Sequence, residues 1–457
     1  MKLLTSLILL CTLKIHTSSP LGFEDVIIPK NYARYGQALE AIFSMTLRLH
    51  AIMDTSVNEN FVVSPISTTA IIAQLMLGAE DHFREQLHDL LSLPASTSSF
   101  NVTHFTKDRN ESQIMPYATF HLQLAILLKN LKTRKPGEHF VLNLDNALFY
   151  NEDIDLRTVF TNTLHKIYDT DITPLDFKND TTSIINKWAA NHTNGLIKSF
   201  LQTPPNSDTA SLFMNSVYFK ADWETPFATI LNNIDNFNIN ATETVKTLYM
   251  MENILNIKYA ETKFFKIVCL PYKNREVGMY IILPNKDSEN KYNIRLFMDS
   301  MDPKEILRSV LIMKPHDVTI KIPKLSLSNT FSILKPLQKY SAFKKSEAEK
   351  NETQSNAIDE IVNRVQNFKN FTAPSYQDIF LESAARDTKL KVSDIVQQMI
   401  FAINEQGTEA AAISGGFTDY MGGSKTVILN RPFAFFIRHE ETQAILFWGT
   451  ISNPSKH

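Results

Sequence analysis

Cysteine is almost missing from this 457-residue chain: there are two, and Cys11 lies in an N-terminal stretch that reads as a removable leader. Cys269 then stands alone, so no intrachain disulfide forms and the fold is held by its core. Net charge is also scarce. Forty-six basic residues against 48 acidic ones give a formal charge of −2, which excludes any global attraction to nucleic acid or anionic membrane and leaves only local polyanion sites. Beyond the first residues no run of apolar side chains is long enough to span a bilayer. The short motifs of catalysis are missing as well: no G-x-S-x-G, H-E-x-x-H, C-x-x-C, P-loop or G-x-G-x-x-G stands in a suitable setting. His439-Glu440-Glu441 has no second histidine for a zinc helix, although a site assembled from distant Ser, His and Asp is not excluded by inspection.

What is present is ordinary globular material, 44% hydrophobic and 10% aromatic, enough for a large core. The N-terminus, MKLLTSLILLCTLKIHTSS, places Lys2 before a mainly apolar run from Leu3 to Leu13 and ends in small polar residues, the pattern of a secretory signal over residues 1–19. A short extension, 20–34, follows. Seven Asn-x-Ser/Thr sequons, at Asn101, Asn110, Asn179, Asn191, Asn240, Asn351 and Asn370, suit passage through a glycosylating pathway. Those in polar stretches suit modification better than Asn191, which lies in a helical pattern.

From residue 35 onward no linker divides the chain, which reads as a single domain interrupted by polar insertions near 94–116 and 344–376. NFVVSPIS (60–67) reads as a short strand followed by a Ser-capped helix start, and the helix continues nearly all apolar. TTSIINKWAANHTNG is a helix closed by Gly195. ASLFMNSVYFKADW is apolar on both faces and suits the middle of a sheet. KIVCLPY, VGMYIILP and VTIKIPKLSL are further strand candidates. Helices and strands mix without a βαβ rhythm, so the class is α+β on large sheets.

One stretch does not fit a core. EQGTEAAAISGGFTDYMGGSK (405–425) is a run of small residues between two strongly β-forming segments, and its first half alternates as a strand. One face would carry Thr408, Ala410, Ala412 and Ser414, uniformly small and uncharged. Such a face can slide under something already packed, where bulk or charge would be costly to bury.

From about Tyr35 to Pro454 the chain resembles the serpins. The resemblance is carried, in order, by NFVVSPISTTAIIAQLMLGA, LNLDNALF, INKWAANHTNGLI, TASLFMNSVYFKADWETPF, PKLSLS, NEQGTEAAA and VILNRPFAFFIRHEETQAILFWGTISNP. It implies the serpin fold, with three β-sheets, eight or nine helices and an exposed reactive-centre loop. It also implies a protease inhibitor rather than an enzyme, working without a cofactor or metal. Loop 405–427 would be cleaved as a substrate, and its first half would insert into a sheet, trapping the serine protease covalently. The alternative within the family is a non-inhibitory carrier, hormone precursor or chaperone. The small, uncharged inserting face of the hinge (Glu405, Gly407, Thr408, Glu409, Ala410, Ala411, Ala412) favours inhibition, and Ile413, larger than the usual occupant, should point outward.

Counting from Gly407 to Pro432 gives the common serpin loop length and places the reactive bond at Met421-Gly422, suited to elastase-like or chymotrypsin-like enzymes. Tyr420 is the alternative for chymotrypsin-like enzymes, and Lys425 would attract trypsin-like ones. A cysteine-protease target stays open. Ser64, Pro65, Ser67 and Asn215 match the cluster under the sheet that controls its opening, with Trp223 at the top, and Lys324 and Glu405 match a loop-base salt bridge. Lys129, Lys132, Arg134 and Lys135 lie at the end of the helix that binds heparin in some serpins. A monomer is expected, and the leader with the Asn-rich, multiply glycosylatable chain suggests a secreted protein acting in an extracellular cascade such as clotting or immunity. Three positions depart from the family: Gln397 stands where a histidine is usual, GAEDHFREQL lacks the usual Gly and Thr, and Ala434 is small where a larger residue is common.

Overall fold

The computed structural model describes residues 32–52, 59–79, 81–93, 100–101, 114–115, 118–132, 140–193, 195–301, 303–348, 378–408 and 424–456. The signal segment, most of both polar insertions and residues 409–423 lie outside them. So do the sequons Asn110, Asn351 and Asn370.

Among the described residues there are nine α-helices and two large sheets. The six-stranded sheet positions the functional segment. Its order is Leu325–Ser332, Asp394–Ile403, Ser211–Asp222, Phe140–Asn151, Asp171–Leu175, with the short strand Gly407–Thr408 paired to Ser211–Asp222. The nine-stranded path divides at the strand Thr244–Glu261. One part of that strand pairs with Asn233–Asn238 and Lys314–Pro323, and its last residues pair with Phe265–Pro271. Two sheets thus share one long strand, which gives the expected total of three sheets.

The central strand Ser211–Asp222 is buried on both faces, as its unbroken apolar pattern requires. One face, with Phe213, Val217, Phe219 and Ala221, joins the main core beneath the helix Pro65–Gly78. The other, with Leu212 and Met214, joins a second apolar layer that includes Ile185 and Ala189 of the helix Thr182–His192. Ser64 caps the helix Pro65–Gly78, with Pro65 at its first position. Gly195 takes φ +79°, the left-handed region that suits glycine just past a helix end.

The pattern VTIKIPKLSL does not form one strand. Lys314–Pro323 and Leu325–Ser332 pair with different strands in different sheets, and Lys324 is the residue between them. Cys269 is buried and free; burial first, and the Glu440 carboxylate next, push its thiol up to about 12, so it stays an unreactive neutral thiol.

Candidate functional site

The strands Ser211–Asp222 and Asp394–Ile403 run parallel and are paired from Leu212 with Asp394 to Tyr218 with Ile400. Above this point they part. The chain leaves Ile403, turns at Asn404, and sends Gly407 and Thr408 back antiparallel to the first strand, opposite Asp222 and Ala221. The turn is built locally: the Asn404 side-chain oxygen accepts from the N–H of Gln406 (3.0 Å) and of Gly407 (3.2 Å). The Trp223 N–H donates to the Gln406 carbonyl (2.6 Å) and the Phe227 N–H to that of Glu405 (2.7 Å). The Trp223 indole N–H donates to the Asn404 carbonyl at 3.0 Å.

Gly407 is the only residue type that fits there, because a Cβ would sit 1.9 Å from the Ala221 carbonyl oxygen. Thr408 is fully buried, and its hydroxyl lies 2.8 Å from that of Tyr272. Tyr272 in turn stacks on Trp223, ring centroids 4.4 Å apart. The expectation of an exposed loop is therefore corrected at its first end, while its last end is paired as a strand and stays mostly exposed. Gly407 and Thr408 are built into the six-stranded sheet, and Lys425–Ile428 is a strand parallel to Lys314–Pro323. Backbone groups near a sheet edge pair wherever a gap admits them.

Lys324 and Glu405 meet as expected, at 2.9 Å, and Asn232 donates to the same carboxylate oxygen at 2.6 Å. Burial alone would raise the Glu405 pKa. Lys324, the backbone N–H and Asn232 outweigh it and hold the carboxyl below its usual range. A pair at this level of exposure is worth about 0 to 1 kcal/mol, so its role is to fix where the loop departs.

Beneath the paired part of the sheet, Asn215 is the hub. Its Oδ1 accepts from the Ser67 hydroxyl (2.5 Å) and from Gln397 Nε2 (2.8 Å), and its Nδ2 donates to the Asp145 carbonyl (3.2 Å) and to Asn146 Oδ1 (3.0 Å). Ser64 belongs to the neighbourhood but not to this hub; its hydroxyl donates to the Leu446 carbonyl at 2.8 Å. Gln397, in place of a histidine, makes the contact through an amide, so nothing titrates at that point. Its Oε1 is buried and finds no partner among the described residues, nor do Gln398 Oε1 and Ser216 Oγ on the opposite face of the same two strands. Each such group costs about 1–3 kcal/mol. The seam between these two strands is underbonded among the described residues.

Truncating the hub, Asn215→Ala, strips Ser67 and Gln397 of their shared acceptor in a buried network. It should cost about 3 kcal/mol. In a thermal scan the intact protein is expected to melt roughly 5 °C lower; a loss under about 1 °C would show that Asn215 is ordinary filling.

Glu409, Ala410, Ala411 and Ala412 of the hinge, and Tyr420, Met421 and Gly422 at the reactive bond, lie outside the described residues, as do Arg134 and Lys135. Lys132 is engaged by Asp145 (3.5 Å) and Asp169 (3.2 Å) and keeps only 12% of its side chain exposed, which removes it from a polyanion surface; Lys129 is exposed. Asn179 and Asn191 are exposed and Asn240 is half-buried. Pattern reading did not find Tyr272, Asn232, Asn404 or Asn146. None carries a local signature, since each acts across the fold on a residue from 69 to 181 positions away, save that Asn404 also shapes its own turn.

A family model described as Serpin (serine protease inhibitor) matches residues 40–454. The chain is a serpin. The leukocyte elastase inhibitor of Xenopus tropicalis is 26% identical over 88% of this chain and 95% of its own length. Human thyroxine-binding globulin complexed with its hormone superposes with a TM-score of 0.70 at 20% identity, covering 93% of this serpin and 100% of that chain. Native protease nexin-1 with heparin superposes with a TM-score of 0.68 at 20% identity, over 92% and 100%. These likenesses confirm the α+β serpin fold.

Proposed function

We propose that this serpin is a secreted suicide-substrate inhibitor of a serine protease. The observation that carries the reading is the placement of Gly407 and Thr408, which already occupy the gap between the two strands in antiparallel register. Continuing that register pairs Ala410 with Phe219, Ala412 with Val217 and Ser414 with Asn215. All three partners face the main core or the buried hub, so the small uncharged face of the loop is the face that would enter. Ile413 falls opposite Ser216, on the other face. No proline or buried charge interrupts the run.

The chemistry is that of a protease's own acylation. Its serine attacks the Met421 carbonyl, the Met421-Gly422 bond breaks, Gly422 leaves as a free amine, and Met421 stays esterified to the enzyme. Insertion then competes with hydrolysis of that ester. From Thr408 to Met421 an extended strand spans roughly 40 Å, so the enzyme is carried the length of the sheet. Breaking one parallel ladder and making two antiparallel ones adds about ten hydrogen bonds, each worth roughly 0.5–1.5 kcal/mol net. Tyr420 is the alternative bond for a chymotrypsin-like target. Secretion is supported by the N-terminal leader pattern and the sequons.

The second reading, a non-inhibitory carrier, draws on the structural likeness to thyroxine-binding globulin. Incubation with elastase, chymotrypsin or trypsin followed by a denaturing gel separates the two. A covalent band of serpin plus protease is expected, with Gly422 as the new N-terminus of the released peptide. Complete cleavage without the band in all three would overturn inhibition.

A further inference from the structure

At the foot of the same seam lies a cavity of about 420 Å³. Its apolar wall is formed by Leu201, Pro204, Leu212, Met214, Leu334 and Val396, and Asp378 and Lys391, paired at 2.9 Å, stand at its polar side. Leu212, Met214 and Val396 belong to the second apolar layer, on the face of the sheet away from the main core. The two strands are still joined here, by the pair Leu212–Asp394 and by the Ser393 N–H donating to the Ser211 carbonyl at 2.9 Å.

The register that begins at Thr408 and Ala221 reaches this place. Nine residues on, Phe417 falls opposite Leu212, and the alternation of a strand turns it to the face opposite that of Thr408, which is the face of the cavity. Phe417 is also the first aromatic residue of the loop: between Thr408 and Gly416 the only side chains larger than threonine are Glu409 and Ile413. The cavity is mixed, with Thr203, Asn206, Asp208 and Ser393 among its polar lining, and its leucine, methionine, valine and proline side chains offer apolar contact to an aromatic ring.

We propose that this cavity is the receiving site for the Phe417 side chain, and that its occupant is the segment Gly415–Tyr420 of this chain after cleavage. The site takes an aromatic side chain presented on an extended backbone. It rests on the insertion reading and adds to it a lock at the far end: filling the cavity holds the last inserted turn of strand against fraying and makes the inserted state irreversible.

The test uses the full chain, nicked by a protease that leaves no covalent band with it, with the nick placed beyond Phe417 by the mass of the released C-terminal peptide. Phe417→Ala should leave the intact protein's melting temperature unchanged and lower that of the nicked protein by about 5 °C. A second variant reports location: the pair Phe417→Cys and Leu212→Cys should close a disulfide under mild oxidant after nicking and not before, while buried Cys269 stays inert. If nicked wild-type protein gains no thermal stability, insertion itself fails and this proposal with it. If the wild type gains fully but the cysteine pair does not close, or Phe417→Ala gains as much as wild type, the insertion reading stands and the cavity assignment is overturned.

Discussion

Thr408→Arg should abolish the covalent complex while leaving the loop cleavable. Thr408 has no exposed surface, its hydroxyl meets Tyr272, and its backbone faces Ala221 in the gap where the proposed insertion would begin. A guanidinium at this point would have to replace a threonine fully buried against Tyr272 and Ala221. Burying such a charge unpaired costs several kcal/mol even after relaxation. A rise of about 3 kcal/mol in the barrier to insertion slows it more than 100-fold, at tenfold per 1.4 kcal/mol. Hydrolysis of the acyl-enzyme is not slowed, so nearly every encounter ends in cleaved serpin and free protease. The measurement is the stoichiometry of inhibition on a denaturing gel. Thr408→Ser, which keeps the hydroxyl, should remain close to wild type. Equal covalent bands from the arginine and wild-type proteins would show that the gap is not the entrance.

Much of the fold is legible in the sequence for a simple reason. Strongly buried elements carry unbroken apolar runs, so the helix after Ser64 and the strand Ser211–Asp222 announce themselves, and Ser64 with Pro65 marks a helix start by local capping chemistry alone. Sheet membership is different. Lys314–Pro323 and Leu325–Ser332 alternate alike and are separated by Lys324 only, yet they serve different sheets, because hydrophobic period says which face is buried and not which neighbour is paired.

The site divides in the same way. The small face of Thr408, Ala410, Ala412 and Ser414 is visible as composition at period two. That Gly407 and Thr408 are already seated is not, since it depends on a gap opened by strands 180 residues apart. The Lys324–Glu405 and Asn215–Gln397 contacts were reached through the family resemblance and are present, at 2.9 and 2.8 Å. Their supports, Asn232 and Asn146, lacked any pattern to find them by. Lys132 shows the reverse failure: a basic cluster on one helix end reads as a surface, but this lysine is spent on Asp145 and Asp169.

The central claim is that the uncleaved protein holds the weaker of two sheet arrangements. Among the described residues its seam leaves Gln397, Gln398 and Ser216 with unpaired buried oxygens, and the gap above Tyr218 admits two residues of a strand that could run to the foot of the sheet. Such a state persists through a barrier rather than through its depth. Thermal unfolding before and after a single nick beyond Phe417 tests this directly. The nicked protein should melt roughly 10 °C higher than the intact one, since about ten added ladder bonds at roughly 1 kcal/mol each move a domain of this size by that order. Equal or lower melting after the nick would contradict the account.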